Sequence, residues 1–300
     1  MIIHGVHFPA YAAFFMLPFW KVIPGGNPTL LFRSSDVPEA MRAKIAEAAM
    51  SPMHIGAEQV GFIDVDRCRL DMMGGEFCVN ASRAFALLLA EDGKLSDGSD
   101  GWKEGNILVS GCARPLRVRT RRQDDGIWQS DIRMEFPSIP SPSPLNDGSY
   151  LLELPGITHI IESRPMPEDL TDFCRIQRER NGLEKKEAVG HIWIDSIPLS
   201  VPCNEQDQPA HRITPVIWVR ATDTLCRETA CGSGTLAAAI CLMQRSSGQF
   251  FRMVQPSGSI LDVHFQKSLH GWDAWVGGPA WEAARGMTNL DACMACREMT

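Results

Sequence analysis

The sequence lacks three things, and each absence removes a class of protein. It has no excess of basic charge: 29 Lys and Arg stand against 36 Asp and Glu, for a net charge of −7. That balance gives no electrostatic footprint for nucleic acid and would be repelled by an anionic membrane. It has no long hydrophobic run. The most apolar stretch, Phe8 to Trp20, is shorter than the roughly 20 residues a membrane helix requires. No Lys or Arg precedes that stretch, Pro9 and Pro18 interrupt it, and no small-residue cleavage site follows before Lys21, so it reads as a buried strand with its loop and not as a signal peptide. It also lacks the cysteine density of a disulfide scaffold. Ten irregularly spaced cysteines in 300 residues read mostly as reduced thiols of a cytoplasmic protein. What is present, 44% hydrophobic and 22% charged residues, is the composition of a soluble globular chain with length for two cores. Oligomeric state is not readable, and a homodimer stays open.

Periodicity and punctuation divide the chain near its middle. In the first half, Thr29 to Phe32 and Arg67 to Met72 read as short strands and Glu39 to Met50 as a helix. A helix of small and apolar residues runs from Cys78 to Ala90 and is closed by Gly93. Strands follow at Ile107 to Val109, Leu116 to Arg119 and Ile127 to Met134. Pro137, Pro140, Pro142 and Pro144 then mark a crossing segment. The second half repeats this order. Strands are expected at Tyr150 to Leu154, His159 to Glu162, His191 to Ile194 and Val216 to Val219, with a helix at Asp169 to Arg180. A second small-residue helix runs from Cys231 to Arg245, followed by strands at Phe251 to Val254, Ile260 to Phe265 and Trp272 to Val276. Short strands around one apolar helix per half indicate an α+β architecture in two lobes: residues 1–136, carrying Cys78, then 137–285, carrying Cys231, then a tail at 286–300.

The two small-residue helices begin alike. One start reads Gly74-Gly75-Glu76-Phe77-Cys78-Val79-Asn80-Ala81-Ser82-Arg83, the other Arg227-Glu228-Thr229-Ala230-Cys231-Gly232-Ser233-Gly234-Thr235. In each, an acidic residue precedes a cysteine that opens an apolar helix, and the two cysteines lie about half a chain apart. Unpaired N–H groups and the helix dipole favour a thiolate at such a position and are expected to lower its pKa. The same donors can hold a carboxylate. Two such starts facing one cleft provide what a two-base racemase needs: one thiolate to take an α-proton and an opposite thiol to return one, while the N–H groups stabilise the developing enediolate. The plainer reading of any one of these cysteines is packing, since free cysteine is among the most buried residue types.

At these residues the chain resembles the diaminopimelate epimerase fold superfamily of cofactor-independent racemases and epimerases. Within it, Met73-Gly74-Gly75-Glu76-Phe77-Cys78 with Asn80-Ala81-Ser82-Arg83 is most similar to the histidine racemases of opine-metallophore (staphylopine-type) biosynthesis. Gly26-Asn27-Pro28, Gln255-Pro256-Ser257-Gly258 and Gly277-Gly278-Pro279-Ala280 resemble further family elements. The resemblance implies two pseudo-symmetric lobes, each a β-barrel-like sheet wrapped around a central helix, with the site between them. It implies Cys78 and Cys231 as the acid/base pair, an amino acid as substrate with histidine first, and neither metal nor other cofactor. Asn27 and Asn80 would contact the substrate's α-amino and carboxylate groups, and Gly232, Ser233 and Gly234 would supply backbone donors. Val79 departs from the family's glycine and narrows the site beside Ala81. Gly156-Ile157-Thr158-His159 lacks the asparagine with which diaminopimelate epimerases grip the far end of their substrate, which disfavours that substrate.

Other residues have two readings each. Glu58 sits where phenazine-type isomerases keep an acid/base glutamate; its plainer role is a solvated carboxylate at a strand edge. Glu228 and Thr229 resemble the family's lead-in to the second cysteine, while Glu228 could instead pair with Arg227. Cys293 and Cys296 form one Cys-x-x-Cys, a weak zinc signal without a second pair. His54 and His159 read as structural, and Cys68, Cys112, Cys174, Cys203, Cys226 and Cys241 as packing or incidental thiols. The alternatives to a racemase are a phenazine-type isomerase using Glu58 and a non-catalytic amino-acid binding protein on the same fold.

Overall fold

A computed structural model describes residues 16–196, 210–245 and 248–289. Phe8 to Phe15 of the apolar run, Cys203, and the Cys293/Cys296 pair lie outside the described residues.

The first half contains β1 (Met16–Pro24), β2 (Thr29–Arg33), α1 (Arg42–Met50), β3 (Gln59–Asp64), β4 (Arg69–Met72), α2 (Val79–Glu91), β5 (Ser96–Asp97), β6 (Lys103–Val109), β7 (Leu116–Arg122) and β8 (Trp128–Phe136). After the short β9 (Ser143–Pro144), the second half contains β10 (Tyr150–Leu154), β11 (Ile157–Glu162), α3 (Leu170–Arg180), β12 (Ala188–Ser196), β13 (Ala210–Val219), β14 (Thr224–Arg227), α4 (Gly232–Met243), β15 (Phe250–Val254), β16 (Ile260–Ser268) and β17 (Gly271–Asn289).

Strand pairing shows that the halves repeat one fold. In the first, β1–β2 is antiparallel, β2–β3 parallel, β3–β4 antiparallel, β4–β6 parallel, and β6–β7–β8 antiparallel. In the second, β10–β11, β11–β12, β12–β13, β13–β15 and β15–β16–β17 follow the same sequence of directions. A parallel pair requires a crossover. In each half the first crossover carries a short outer helix, α1 or α3, and the second carries the central one, α2 or α4.

Composition explains why α2 and α4 are central. A helix that is apolar or small on every side must be enclosed. Every residue of α2 from Val79 to Ala90 is buried, as is every residue of α4 from Gly232 to Cys241. The strands alternate accordingly: in β7, Leu116, Val118 and Thr120 are buried and face inward between the outward Arg117, Arg119 and Arg121. The first sheet closes on itself, because β17 pairs with β8 through residues 272–280 and with β1 through residues 280–289. α2 touches all the strands of this ring, and α4 touches β10–β13, β16 and β17. The molecule is thus an α+β fold of two pseudo-symmetric lobes, each a barrel-like sheet around one helix.

Three expectations need correction. Residues 286–289, assigned to a tail, are strand, because β17 runs on to pair with β1. The strand expected from Arg67 begins at Arg69, because Cys68 has φ 49° and closes a turn by donating its N–H to Val65 O. β3 was not anticipated. Its Gln-Val-Gly-Phe-Ile-Asp run is buried on both faces and so does not alternate, and it carries Gly61, whose missing side chain makes room for Leu70 and Leu31.

Candidate active site

Cys78 and Cys231 are the residues immediately before α2 and α4, and their local geometry is the same. Their φ/ψ angles are −128°/115° and −136°/109°. Each sulfur accepts a backbone N–H three residues on, from Ala81 at 3.4 Å and from Gly234 at 3.3 Å. Each carbonyl accepts a hydroxyl four residues on, from Ser82 and from Thr235, both at 2.7 Å. This is N-capping with sulfur in place of the usual side-chain oxygen.

The two starts abut. Asn80 Nδ2 donates to Ala230 O across the lobes at 2.8 Å, while its Oδ1 accepts from the buried guanidinium of Arg83 at 3.4 Å. Val79 and Gly232 occupy equivalent positions, each one residue after its cysteine. A Cβ on Gly232 would lie 2.3 Å from Val79 Cγ1. Only one of the pair can carry a side chain, so Val79 is accommodated because its counterpart is glycine.

Between the lobes lies a cavity of about 60 Å3 that both cysteines line. Cys78 keeps some exposure to it, whereas Cys231 is 4% exposed. The cysteines have different partners. The Cys78 thiol donates to Gln59 Oε1 at 2.8 Å. Gln59 Nε2 donates to Asn27 Oδ1 (2.6 Å) and Thr29 Oγ1 (2.7 Å), which turns the amide oxygen toward the sulfur. Asn27 Nδ2 in turn donates to Glu58 Oε2 at 2.6 Å, and Glu58 also accepts the Thr229 N–H. Cys231 donates its backbone N–H to Gln255 Oε1 at 3.0 Å, its sulfur lies 3.5 Å from Ser233 Oγ, and the Glu228 carboxyl is near enough to influence its titration.

Glu58, Glu76 and Glu228 line the cavity, and among the described residues no basic side chain does. Burial pushes the Glu228 carboxyl up to about 8, with Glu58 and Glu76 raising it further against the hydrogen bond from Cys231. Burial likewise raises Glu58 and Glu76. The expected lowering of the thiol pKa does not occur in this closed site. Burial, then the charge of Glu228, pushes Cys78 up to about 12, and the same two causes raise Cys231 well above the ordinary range. The N–H groups act in the opposite sense but are outweighed. Such a cleft favours a cation, and an ammonium group placed among these carboxyls would offset the charge that holds the thiols protonated.

Of the expected site residues, Cys78, Cys231, Glu58, Val79, Asn80, Glu228, Gly232 and Ser233 line the cavity. Asn27 is fully buried behind it and orients Gln59 and Glu58. Thr229 donates its N–H to Glu58 and its hydroxyl to Gly26 O. Ala81 and Gly234 direct their N–H groups to the sulfurs. Among the described ion pairs none joins Arg227 to Glu228. Cys226, expected to be incidental, lines the cavity, as does Gln59, which opens a strand that the sequence pattern does not signal. His54 Nε2 bonds Asn289 O at 3.0 Å, and burial holds His159 neutral, its pKa lowered to about 3. The described cysteines are free thiols. Among the described residues no group of three His, Cys, Asp or Glu is placed to hold a metal ion, and no helix is long and apolar enough to cross a membrane.

Two lobes around central helices whose starts meet at one cleft form a fold shared with a solved epimerase and with proteins of the PhzF family. A hydroxyproline epimerase from Agrobacterium vitis shares it with a TM-score of 0.60 at 12% identity, covering 92% of this chain and 93% of that one. A phenazine biosynthesis protein of the PhzF family from Enterococcus faecalis shares it with a TM-score of 0.53 at 14% identity, over 91% and 99% of the two chains. Residues 16–271 match the family described as histidine racemase CntK N-terminal domain. The chain is 32% identical over 277 residues to a histidine racemase of Fusobacterium nucleatum, covering 90% of this chain and 96% of the relative. It is 26% identical over 290 residues to a histidine racemase of Staphylococcus aureus, covering 92% and 98%. The chain belongs to this racemase family and is an isomerase.

Proposed function

We propose that the protein interconverts the enantiomers of histidine by a two-base mechanism in which Cys78 and Cys231 act on opposite faces of the α-carbon. The observation that carries this reading is the matched pair of helix starts, with closely similar backbone angles and sulfur-to-amide hydrogen bonds, lining one cavity from two lobes. The leading N–H groups of α2 and α4 have no partners within their helices. Those at Gly232 and Ser233 are suited to hold the substrate carboxylate and to stabilise the enediolate that forms on proton loss. The α-ammonium is bound among the cavity carboxyls.

In one direction, the bound substrate ammonium favours the ionised form of Glu228, Cys231 transfers its proton to that carboxylate, and the resulting thiolate takes the α-proton. Cys78, whose thiol is held protonated by the Gln59 carbonyl, donates to the opposite face. In the reverse direction, Cys78 is the base and Cys231 the acid. Every group in this scheme belongs to the chain. It requires both thiols reduced, which suits a cytoplasmic setting, and the resemblance to staphylopine-type racemases points to metallophore biosynthesis as the use of the product.

A second reading rests on Glu58, which faces the cavity with a raised pKa and is held by Asn27 and Thr229. An isomerase centred on that carboxyl predicts that Cys78→Ala is tolerated and Glu58→Gln is not. Incubation with a panel of L-amino acids in heavy water, following loss of the α-proton signal, tests the main reading. Histidine should exchange first and fastest; exchange of no amino acid, or of others only, contradicts it.

A further inference from the structure

Glu76 is a buried carboxyl that the proton transfer above does not use. It is 8% exposed and lines the cavity two residues before Cys78. None of the described ion pairs gives it a cation. Its Oε2 accepts the Gly74 N–H at 2.9 Å. That bond uses one of the roughly four acceptor sites of a carboxylate.

The segment that carries Glu76 is held from both lobes. Ser110 Oγ donates to Glu76 O at 2.8 Å while accepting the Met72 N–H. A Cβ on Gly111 would lie 2.5 Å from Phe77 N, and one on Gly156, from the other lobe, 2.8 Å from Phe77 Cβ. Both glycines have φ above +70°, so each supplies a turn as well as clearance. A Cβ on Gly74 would lie 2.7 Å from the Glu76 carboxylate and 3.2 Å from Val219, which sets the carboxyl beside the end of β13.

Apolar side chains flank Glu76 on the β13 side. Val219 is the strand partner of Ala188, and both line the cavity with Ile157 and Ile217. Glu187 and Glu228 are the like charges near Glu76, and Glu58 is anchored by Asn27 and Thr229. Glu58 suits the α-ammonium common to all amino acids. Glu76 offers one fixed acceptor beside apolar lining and, among the described residues, has no cation. That combination fits a flat ring bearing an N–H and rejects an acidic side chain.

We propose that Glu76 is the specificity-determining residue of this site, accepting a hydrogen bond from the N–H of the substrate's imidazole while Ile157, Ala188, Ile217 and Val219 enclose the ring. The inference rests on the histidine reading above and deepens it. The plainer alternative is that Glu76 only braces the turn at Gly74.

The test compares L-histidine with L-β-(2-thienyl)alanine, whose ring has the same size and no N–H. The readouts are kcat and KM for histidine racemisation and the inhibition constant of the thienyl analogue, with a thermal melt of each variant to confirm folding. The analogue should bind wild type at least tenfold more weakly than histidine does. Glu76→Leu should raise the histidine KM at least tenfold, leave kcat less affected, and bring the two affinities together by about the same factor. Glu76→Gln keeps an acceptor and should lose only a few-fold, and it carries the test if Glu76→Leu does not fold. Equal weakening of both compounds, or an unchanged ratio, in the folded variants overturns the assignment and leaves the bracing role. If wild type does not act on histidine at all, it is the underlying reading that fails, and this shows before any variant is made.

Discussion

The starts of α2 and α4 repeat one piece of backbone but not one electrostatic environment. Cap angles, sulfur-to-amide bonds and hydroxyl-to-carbonyl bonds agree between Cys78 and Cys231 to within about 8° and 0.1 Å. The next residues diverge: Val79 against Gly232, Asn80 against Ser233, Arg83 against Leu236. The sulfurs diverge too, one donating to the neutral amide of Gln59 and the other lying 3.5 Å from Ser233 Oγ under the influence of the Glu228 carboxyl. Repetition brings two thiols from two helix starts to one cavity, the pair that the proposed two-base mechanism uses. Divergence lets the starts fit together and gives each thiol a different proton partner.

The largest expected effect treats the starts as equals. Cys78→Ala and Cys231→Ala should each lower racemisation on the order of 10²–10⁴-fold or more, measured as the rate of enantiomer interconversion. Full activity in either variant would break the comparison at its functional level. The packing contrast comes next. Gly232→Ala should cost about 1–3 kcal/mol of stability in urea unfolding, because its Cβ overlaps Val79. Adding Val79→Gly should recover most of that loss; if the two changes simply add, the starts do not compete for one space.

The electrostatic contrast predicts a pH dependence. Glu228 has a folded pKa of about 8 against an ordinary 4.5. Between those values the folded state holds a proton that the unfolded chain has released, so stability falls as pH rises through that window. The contribution is full below about pH 4.5 and gone above about pH 8. Glu228→Gln should flatten this decline in a series of unfolding curves, and an unchanged slope would remove Glu228 as its source. The smallest effect concerns the matched hydroxyls. Ser82→Ala and Thr235→Val should each cost about 0.5–1.5 kcal/mol. Thr235→Val should cost more, since Gln255 Nε2 also donates to Thr235 Oγ1 at 2.9 Å.

The parts of this arrangement that were legible in the sequence are those built from neighbouring residues. The two cysteine-opened helices and their small-residue faces follow from local spacing. Closure of the first sheet was not legible, because it depends on β17 pairing with β1 across almost the whole chain. Nor was the direction of the thiol shifts. Helix-start chemistry argues for lowering, but Glu58, Glu76 and Glu228 reach the cysteines through the packing of both lobes, and burial with like charge prevails. The roles of Gln59 and Gln255 were not legible for the same reason: nothing in their sequence neighbourhoods says that each faces a different cysteine.

The central claim, one acid/base thiol on each face of the α-carbon, is tested most directly by racemisation of L-histidine in heavy water, analysed before much has turned over. The account predicts that the D-histidine formed carries deuterium at the α-carbon while the remaining L-histidine keeps its proton, with the mirror result from D-histidine. Deuterium entering the unreacted enantiomer as fast as the product, or product retaining the original proton, would contradict it.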